Sequence, residues 1–433
     1  MSNPYVQYMY SYPHKTAYGP LEGIDLNDYL CRLSKEENSL YFHIPFCQSK
    51  CGYCNLFSVT GQSEPFMAQY VDAMERQAQQ LSEVLPEDVL FSDLTLGGGT
   101  PLMLPEKQLE RIFEIAGKYM GFEEGKRDTI VETSPSQTTA EKISILKDHG
   151  VTRISMGIQS FFDSELKTLN RSHRTAEVKQ ALAILKQASF PCVNLDLIYG
   201  IPGQTVETLL DSARQAVSYE PEELFVYPLY IKKGTFLASK DVIQPETTYE
   251  MYLSLREYLR REGYEPFSMR RFGKRGNIRQ TGSCGFDNTI SIGCGGRSYI
   301  GNLHFCTPFA VRQSRCLELL KEYMNQKDFL TVKHGYILSG EEQERRYVIK
   351  NILFGRGVDT QEYKEKFGGE VEKEFPVVSE WLRQGYAIRN RERIGLTERG
   401  FSLSDLLGPM LISDEVREKM EKSEISPFHA GGN

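Results

Sequence analysis

Three cysteines near the start of the chain have the spacing of a metal centre. Cys47, Cys51 and Cys54 lie within eight residues as C-x3-C-x2-C, in a turn whose other residues are mostly polar. Three thiolates can hold three irons of a [4Fe–4S] cube and leave the fourth iron without a protein ligand. The spacing therefore predicts an iron–sulfur centre with one coordination position open to a small molecule.

Zinc is the alternative occupant of such a site. A structural zinc ion takes four ligands, usually as two separated pairs, so His43 would have to supply the fourth. His43 stands on the segment that leads into the turn, where we expect its side chain to face another way. A third interpretation, buried packing thiols, is disfavoured by the polar turn Gln48–Lys50.

The residues around the cysteines resemble a known superfamily. C-x3-C-x2-C is the signature of the radical S-adenosylmethionine (SAM) superfamily, and Tyr41–Cys54 resembles the family of oxygen-independent coproporphyrinogen III oxidase and its heme-chaperone relatives. The similarity extends from about Tyr8 to Leu407. It implies that SAM chelates the open iron, and that an electron from the cluster splits the sulfonium bond to give methionine and a 5′-deoxyadenosyl radical.

The resemblance assigns further residues to SAM. Tyr41, Gly98 and Glu132 match family positions that contact the SAM on the cluster, and Glu132 is suited to the ribose hydroxyls. A second SAM is implied by matches at Tyr53, Gly99, Thr100, Gln159, Arg171 and Asp196. The residues that we expect to be catalytic are Tyr41, Glu132, Gln159, Arg171 and Asp196.

These positions also have purely structural interpretations. Gly97–Gly99 could be a tight turn between a strand and a helix instead of bare backbone beside a ligand. Gln159 and Asp196 could be hydrogen-bonded groups at the rim of a barrel, and Arg171 could be a solvated charge at a helix end.

Two further groups could contact a substrate. The tyrosine-rich leader Tyr8–His14 resembles a family segment that packs near the substrate, although an ordinary aromatic arm would look the same. Arg270, Arg271 and Arg279 could pair with substrate carboxylates or could form a solvated basic stretch.

The sequence departs from both branches of the family. The oxidases carry another cysteine two residues beyond the third cysteine of the motif, where this chain has Leu56. The heme chaperones carry a His-Asn-x-x-Tyr-Trp segment that this chain lacks, since its one tryptophan is Trp381 in a charged C-terminal segment. Neither branch is therefore matched in full.

Four later cysteines could bind a second cluster. Cys284, Cys294, Cys306 and Cys316 are spaced at ten, twelve and ten residues, and His304 would be a ligand only in that case. Scattered cysteines in a glycine-rich region are more often small packing residues.

The elements that must position these residues alternate. Each short apolar or β-branched segment is followed by a segment with helical spacing. Because parallel strands need crossover connections, this alternation predicts a parallel sheet. The predicted strands are Leu40–Phe46, Asp93–Leu96, Thr129–Glu132, Arg153–Gly157, Val193–Tyr199 and Leu224–Leu229. Their carboxyl ends carry the polar and glycine residues, as in a β/α barrel, where chemistry is placed at that end.

The character of the chain changes after about Lys240. A helix at Thr247–Gly263 and the glycine-rich stretch Gly273–Gly301 precede charged helices at Glu341–Phe354, Thr360–Phe367 and Val371–Gln384, a hairpin at Tyr386–Leu396 and a last segment at Thr397–Leu407. We therefore predict an α/β fold, a partial or full TIM-like β/α barrel with a mainly helical, winged-helix-like C-terminal domain. The predicted units are an N-terminal arm (1–36), the barrel (37–240), a glycine-rich extension covering the active site (241–335) and the C-terminal domain (336–433).

Composition narrows the class of protein. The 433 residues include 40% hydrophobic and 25% charged side chains, as in a soluble globular protein. The formal charge of 51 − 58 = −7 argues against nucleic acid as a partner, and no apolar run is long enough for a membrane span. Met1–Tyr12 lacks the basic-then-apolar order of a signal peptide, so we expect a cytoplasmic protein with reduced thiols.

The expected function is that of a radical SAM oxidoreductase resembling coproporphyrinogen III oxidase. It would use a [4Fe–4S] cluster and SAM to abstract hydrogen from a small organic substrate, for which the resemblance suggests a tetrapyrrole. A radical C-methyltransferase with two SAM molecules, a heme-binding chaperone with little turnover and, more distantly, a zinc-binding winged-helix regulator are the alternatives. Flavodoxin or ferredoxin is the electron donor that the resemblance implies.

Overall fold

The computed structural model describes residues 3–33, 38–231, 235, 237, 243–276, 287–354, 357–423 and 425. The strands are β1 (Gly19–Asp25), β2 (Asn38–Ile44), β3 (Phe46–Cys47), β4 (Val59–Thr60), β5 (Phe91–Gly98), β6 (Asp128–Thr133), β7 (Arg153–Gln159), β8 (Cys192–Tyr199), β9 (Glu223–Pro228), β10 (Tyr264–Pro266), β11 (Arg271–Lys274), β12 (Asn288–Ile292), β13 (Arg297–Ile300), β14 (Leu303–Cys306), β15 (Thr331–Ile337), β16 (Val358–Asp359), β17 (Ala387–Asn390) and β18 (Arg393–Leu396).

The α-helices lie between and after these strands. They are α1 (Asn27–Leu30), α2 (Glu64–Ser82), α3 (Glu106–Met120), α4 (Ala140–Asp148), α5 (Asp163–Thr168), α6 (Thr175–Ala188), α7 (Val206–Ser218), α8 (Pro245–Arg261), α9 (Gln313–Asn325), α10 (Gly340–Leu353), α11 (Thr360–Phe367), α12 (Val371–Glu374), α13 (Pro376–Arg383), α14 (Glu398–Ser402), α15 (Ser404–Leu407) and α16 (Asp414–Lys422). None of the helices in the described residues is both long and apolar enough to cross a bilayer.

A parallel sheet positions the predicted site residues. Strands β2, β5, β6, β7, β8 and β9 are neighbours in that order, and each adjacent pair is parallel. All six predicted strands and their parallel arrangement are confirmed. Parallel strands of this kind need crossover connections, which α2, α3, α4, α6 and α7 provide.

The barrel is partial. Beyond β9 the sheet continues through the antiparallel strands β11 and β10, and on the far side of β2 it continues through β12, β13, β14, β15 and β1. In the described part of the chain, thirteen strands thus form one open sheet. The parallel strands at the two ends of the run, β12 and β9, pair on their outer sides with the antiparallel strands β13 and β11, so they do not close on each other.

The helices bury the apolar stripe that their sequences display. On α3, Leu109, Ile112, Phe113 and Ala116 recur at helical spacing and are inaccessible to solvent. The helix ends at Gly121, whose φ of +64° is the left-handed C-cap conformation that glycine adopts at little expense. These stripes pack on the parallel strands and form the larger of the two main cores.

The glycine-rich stretch contributes strands to the large sheet. Its described residues include those of β11, β12 and β13. β12 runs parallel to β2, and Ile290 aligns with Leu40. The glycines at 293, 295 and 296 follow β12 and make the turn into β13.

The C-terminal residues form the expected helices and hairpin around a second core, to which Met9, Tyr12, Ala17 and Tyr18 of the N-terminal arm also contribute. β16, β18 and β17 form a three-stranded sheet against α10, α11 and α13, an arrangement of the winged-helix kind. The predicted helix Val371–Gln384 is two helices, because Phe375 precedes Pro376 and leaves the helical conformation. Trp381, which stands among charged residues in the sequence, is buried in this core.

Candidate functional site

The cysteine turn follows β2 and β3 at the carboxyl end of the parallel sheet. The segment that connects α5 to α6 fastens it there, since the Gly52 amide donates to the Leu169 carbonyl at 2.9 Å and the Asn170 side chain donates to the Lys50 carbonyl at 3.0 Å. The three thiols are partly exposed to solvent. The turn is thus anchored by its backbone, which leaves the thiols available as ligands.

Arg171 lies directly against this turn. Its Nη1 atom is 3.0 Å from Sγ of Cys51, and its Nη2 atom donates to the Gly157 carbonyl at 2.7 Å. Burial opposes the charge of the guanidinium, but the Cys51 sulfur and the Tyr53 hydroxyl hold the pKa of Arg171 above its ordinary value. A permanent cation therefore faces a sulfur that must be anionic to bind iron. The solvated-charge interpretation of Arg171 is wrong.

The other two thiols need a compensating positive charge. Burial and the neighbouring sulfurs of Cys54 and Cys51 raise the pKa of the Cys47 thiol to about 12, and burial also raises the pKa of Cys54. Both thiols are therefore protonated at neutral pH until a cation displaces the protons. Metal binding at this turn should release protons for that reason.

His43 faces away from the cysteines, as expected. Its Nε2 atom hydrogen-bonds the Phe57 carbonyl at 3.1 Å and its Nδ1 atom the Tyr41 hydroxyl at 3.3 Å. Burial lowers the pKa of the ring to about 4, so the neutral ring donates from Nε2 and accepts at Nδ1. Among the described residues no three Cys, His, Asp or Glu side chains surround a position for a single metal ion. A [4Fe–4S] cube would instead place each of the three thiolates on a different iron.

The glycine loop Gly97–Gly99 lies beside the cysteine turn. The Gly99 amide donates to the Ile44 carbonyl and the Thr100 amide to the Phe46 carbonyl, both at 2.8 Å. A Cβ atom on Gly99 would lie 2.9 Å from Sγ of Cys47 and 2.6 Å from the Phe46 carbonyl oxygen. The absence of a side chain is therefore what lets this loop approach the first cysteine.

The side chains of Tyr41 and Glu132 both contact the glycine loop Gly97–Gly99. Cβ built on Gly97 would be 2.8 Å from the Tyr41 hydroxyl and 3.0 Å from Oε2 of Glu132, and that same carboxylate oxygen accepts from the Gly98 amide at 3.2 Å. The surface of Glu132 is accessible to solvent, but the carboxylate lies in a recess with protein on most sides. The resulting partial desolvation raises the pKa of Glu132. The ends of β2, β5 and β6 thus bring together the three residues predicted to contact the first SAM.

Gln159 and Asp196 lie on the next two strands. Gln159 is buried with φ of +67°, at a bulge in β7 that shifts its register against β8. Asn194 donates to Asp196 at 2.7 Å, but burial dominates and, with the Glu132 carboxylate nearby, raises the pKa of Asp196 to about 7. A strained glutamine and a carboxyl that titrates near neutrality are features of functional sites.

Tyr53 connects the two groups of residues. Tyr53 is partly buried, its hydroxyl interacts electrostatically with Arg171, Cys51 and Asp196, and desolvation raises its pKa above the ordinary value. Its ring packs against a small apolar cluster that contains Leu169. The residues that the sequence predicted for the cluster or for SAM therefore lie on adjacent parallel strands or in the segments that connect each of these strands to the next.

Sequence reasoning missed the packing of the later glycines around His43. A Cβ on Gly295 would lie 2.9 Å from Nε2 of His43, and a Cβ on Gly98 would lie 2.8 Å from its Cε1 atom. A Cβ on Gly293 would come within 2.6 Å of the His43 carbonyl oxygen. Three glycines in four residues, at 293, 295 and 296, were the signal for a close approach of backbone to another group.

The arginines expected to meet a substrate have other partners. Arg270 is buried in contact with Asp405 and donates to the Tyr230 hydroxyl at 2.8 Å, so its solvated interpretation is wrong. Arg271 pairs with Glu223 below the site, and Arg279 lies outside the described residues. Arg270 also lies over the ring of Tyr8 at 3.7 Å, which places the tyrosine-rich leader against the barrel.

In the described part of the chain, the thiols of Cys294 and Cys316 contact nearby hydroxyl and carbonyl groups. The Cys294 thiol is 3.9 Å from the Thr307 hydroxyl, and the Cys316 thiol is 3.5 Å from the Ala310 carbonyl. Burial raises the pKa of the Cys294 thiol, and it raises the pKa of the Cys306 thiol to about 11. Cys284 lies outside the described residues.

Comparisons with known proteins agree with this geometry. The sequence pattern of the radical SAM superfamily matches residues 41–216. The heme chaperone HemW of Lactococcus lactis is 26% identical over 391 residues, which span 88% of this chain and 99% of the relative. HemW of Escherichia coli is 30% identical over 267 residues, spanning 59% of this chain and 68% of that protein. Coproporphyrinogen III oxidase (HemN) from Escherichia coli shares the fold, with a TM-score of 0.80 at 21% identity over 93% of this chain and 96% of that one.

Proposed function

The chain belongs to the radical SAM superfamily, in the family of the heme chaperones and oxygen-independent coproporphyrinogen III oxidases, and we propose that it abstracts hydrogen from a tetrapyrrole-type substrate. Members of the superfamily use a [4Fe–4S] cluster and SAM. When bound, the cluster supplies the electron that splits SAM into methionine and a 5′-deoxyadenosyl radical. The residues of this chain would bind both groups, orient them and exclude water.

One observation carries the proposal. The loop Gly97–Gly99 touches the first cysteine through Gly99 and the Glu132 carboxylate through the Gly98 amide. A ligand held on the cluster would therefore lie within reach of Glu132 without a side chain between them. This is the arrangement that a bound nucleoside with ribose hydroxyls requires.

Cys47, Cys51 and Cys54 would hold the cluster, and Arg171 would stabilise the anionic form of Cys51. Tyr41 would be fixed by its hydrogen bond to the neutral ring of His43. Glu132 would accept hydrogen bonds from ribose hydroxyls, since its carboxylate is accessible to solvent. We expect these residues to position SAM, and none of them needs to transfer a proton for that purpose.

Tyr53, Gly99, Thr100, Gln159, Arg171 and Asp196 would form the second subsite. Arg171 offers a cation and Asp196 a carboxyl group to the same region, which suits the carboxylate and amino groups of a second amino-acid moiety. A substrate that carries carboxylates could occupy the same position. The second subsite is therefore proposed for a ligand with both charges, a second SAM being the first choice.

Two other functions are the alternatives, one suggested by the relatives and one by the proposed second subsite. The relatives named heme chaperones favour a protein that binds heme with little turnover, and the exposed Leu56 stands where the oxidases carry a cysteine. A second SAM would instead favour methyl transfer to carbon. A donor such as flavodoxin or ferredoxin would supply the electron in each radical reaction.

Anaerobic reconstitution followed by mass spectrometry separates these functions. We expect a brown protein that forms 5′-deoxyadenosine when dithionite is the reductant. Added coproporphyrinogen III should then be decarboxylated, with release of carbon dioxide. S-Adenosylhomocysteine and labelled product would indicate methyl transfer, and stoichiometric heme binding without 5′-deoxyadenosine would indicate a chaperone. Cys51→Ala is the control and should lose both colour and cleavage. A colourless protein that holds zinc and ignores SAM would overturn the proposal.

A further inference from the structure

A tight turn at the end of β7 holds Gln159 in a strained conformation. The Ser160 amide donates to the Ile158 carbonyl at 2.9 Å, which closes a turn of three residues around Gln159. The φ of Gln159 in this turn is +67°. Such a turn is rare because it strains any residue that carries a side chain. Contacts outside the turn must therefore hold it in place.

The turn directs the side chain of Gln159 back along β7. A Cβ atom built on Gly157 would lie 2.5 Å from Nε2 of Gln159 and 3.7 Å from Nη2 of Arg171. Gly157 also aligns with Asp196 on the neighbouring strand β8. The amide of Gln159 thus lies beside Arg171, on the pair of strands that carries the rest of the proposed second subsite.

The buried carboxylate of Glu165 fastens the residue that follows Gln159. Glu165 lies on α5, and its Oε2 atom accepts from the Ser160 hydroxyl at 2.6 Å. The same hydroxyl accepts from the Phe162 amide at 3.0 Å. A hydrogen bond to a carboxylate is stronger than one between neutral groups, so Glu165 supplies a contact of the kind that the strained turn requires.

The same carboxylate is connected to the end of β8. Its Oε2 atom also accepts from Nε2 of Gln204 at 3.1 Å, and its Oε1 atom accepts from the Thr208 hydroxyl at 2.7 Å. The Gln204 side chain accepts from the Gly200 amide at 2.8 Å and donates to the Ile198 carbonyl at 3.2 Å. Glu165 therefore joins the segments that follow the two strands of the second subsite.

We propose that Glu165 is a positioning residue, which keeps the strained turn in place and so fixes the amide of Gln159 for the ligand of the second subsite. This inference rests on the proposed function, because that function supplies the second subsite and its ligand. An amide that is in place before the ligand arrives binds it without the entropic cost of being ordered. The three donors to Glu165 compensate for the cost of burying its carboxylate.

Two substitutions separate the hydrogen bonds of Glu165 from its size. Glu165→Met keeps an unbranched side chain of similar length but offers no oxygen to the three donors. Glu165→Gln keeps a carbonyl oxygen for the Ser160 hydroxyl, and its amide can donate to the hydroxyl oxygen of Thr208. Thr208→Val is the control, because it removes the hydrogen bond to the other carboxylate oxygen. The melting temperature of each protein shows that it is folded.

The reconstituted holoprotein is used for binding, with SAM as the probe. Equilibrium dialysis gives the number of SAM molecules bound per chain and their affinities. Hydrogen–deuterium exchange followed by mass spectrometry reports on the backbone amides of residues 157–162. In Glu165→Met we expect exchange in this segment to be faster by about tenfold, and the second SAM to bind about tenfold more weakly.

The other measurements should stay unchanged. In Glu165→Met the first SAM should bind normally and 5′-deoxyadenosine should form with dithionite at the usual rate, because the residues for the first SAM lie on other strands. Glu165→Gln and Thr208→Val should resemble the unmodified protein in exchange and in binding. Equal weakening of both SAM molecules in Glu165→Met would overturn the proposal, since it would indicate a general loss of structure.

Gln159→Ala tests whether Glu165 acts through Gln159. The double variant Gln159→Ala/Glu165→Met should bind the second SAM no more weakly than Gln159→Ala, because the amide that Glu165 positions is already absent. A further loss of about tenfold in the double variant, as expected for independent effects, would overturn the proposal.

The number of bound SAM molecules separates this inference from the proposed function. If Glu165→Met binds two SAM molecules as tightly as the unmodified protein, the positioning role alone is refuted. If the unmodified protein cleaves SAM but binds only one molecule, the second subsite is refuted together with this role of Glu165. A protein that neither binds nor cleaves SAM would refute the proposed function itself.

Discussion

The guanidinium of Arg171 joins the cysteine turn to the end of β7, with 3.0 Å from its Nη1 to Sγ of Cys51 and 2.7 Å from its Nη2 to the Gly157 carbonyl oxygen. A hydrogen bond from a cation to a thiolate stabilises the negative charge on sulfur. It also favours the reduced form of a cluster bound through that sulfur, because reduction adds negative charge.

Replacing Arg171 by methionine should therefore make the cluster harder to reduce. A loss of about 1 kcal/mol of differential stabilisation moves a one-electron potential by about 40 mV in the negative direction. The potential is measured by titration monitored by electron paramagnetic resonance, with Lys179→Met on α6 as the control. An unchanged potential with unchanged iron content would show that the contact has no electronic role.

Gly99 should tolerate no side chain. In Gly99→Ala the added Cβ meets Sγ of Cys47 at 2.9 Å and the Phe46 carbonyl at 2.6 Å, so the loop or the cysteine must move. We expect iron content after reconstitution to fall by half or more, at a stability cost of about 1–3 kcal/mol. Gly19→Ala is the matched control, since nothing lies within 4 Å of its added carbon. Full iron content in Gly99→Ala would contradict the close approach.

Glu132→Gln should weaken SAM binding and leave the iron in place. The amide keeps the size of the side chain but loses a charge-assisted acceptor for ribose hydroxyls, which we expect to lower affinity by about tenfold. Equilibrium dialysis with SAM measures the affinity, and iron analysis is run on the same sample. The exposed Glu141→Gln on α4 serves as control. Loss of iron would mean that Glu132 supports the loop through Gly98 and does not bind SAM.

Asp196 should make the stability of the iron-free protein depend on pH. Its pKa is raised to about 7 by burial, whereas an unfolded aspartate has a pKa of about 4. Between these values the folded chain holds a proton that the unfolded chain has released, so the free energy of unfolding falls as pH rises through this interval and levels off above 7.

Asp196→Asn should remove the decrease in the free energy of unfolding that occurs as the pH rises, because asparagine does not titrate. Its melting temperature should exceed that of the unmodified protein at about pH 8 and match it at about pH 4. Thermal unfolding followed by circular dichroism at several pH values measures the difference, with the exposed Asp148→Asn as control. A constant difference across the range would show that Asp196 does not titrate near neutrality.

The sequence predicted the six parallel strands because each is a short apolar run that ends in polar or glycine residues, and local pattern determines both features. The same logic located Cys47, Glu132 and Asp196 at one edge of the sheet. Contacts between distant segments could not be predicted, because nothing local encodes them. The partner of Arg270 is Asp405, 135 residues away, and the strand added beside β2 comes from residues 288–292.

The enclosure of His43 limits how this protein can be divided. The ring that fixes Tyr41 is bounded on one side by Gly98 and on the other by Gly295, and β12 extends the sheet along β2. A fragment cut to residues 41–216, the stretch shared across the superfamily, would leave that histidine open to water and free to take up a proton. Shortened versions or chimeras should therefore keep residues 288–296 together with the cysteine segment, since these residues pair with β2 and pack against His43.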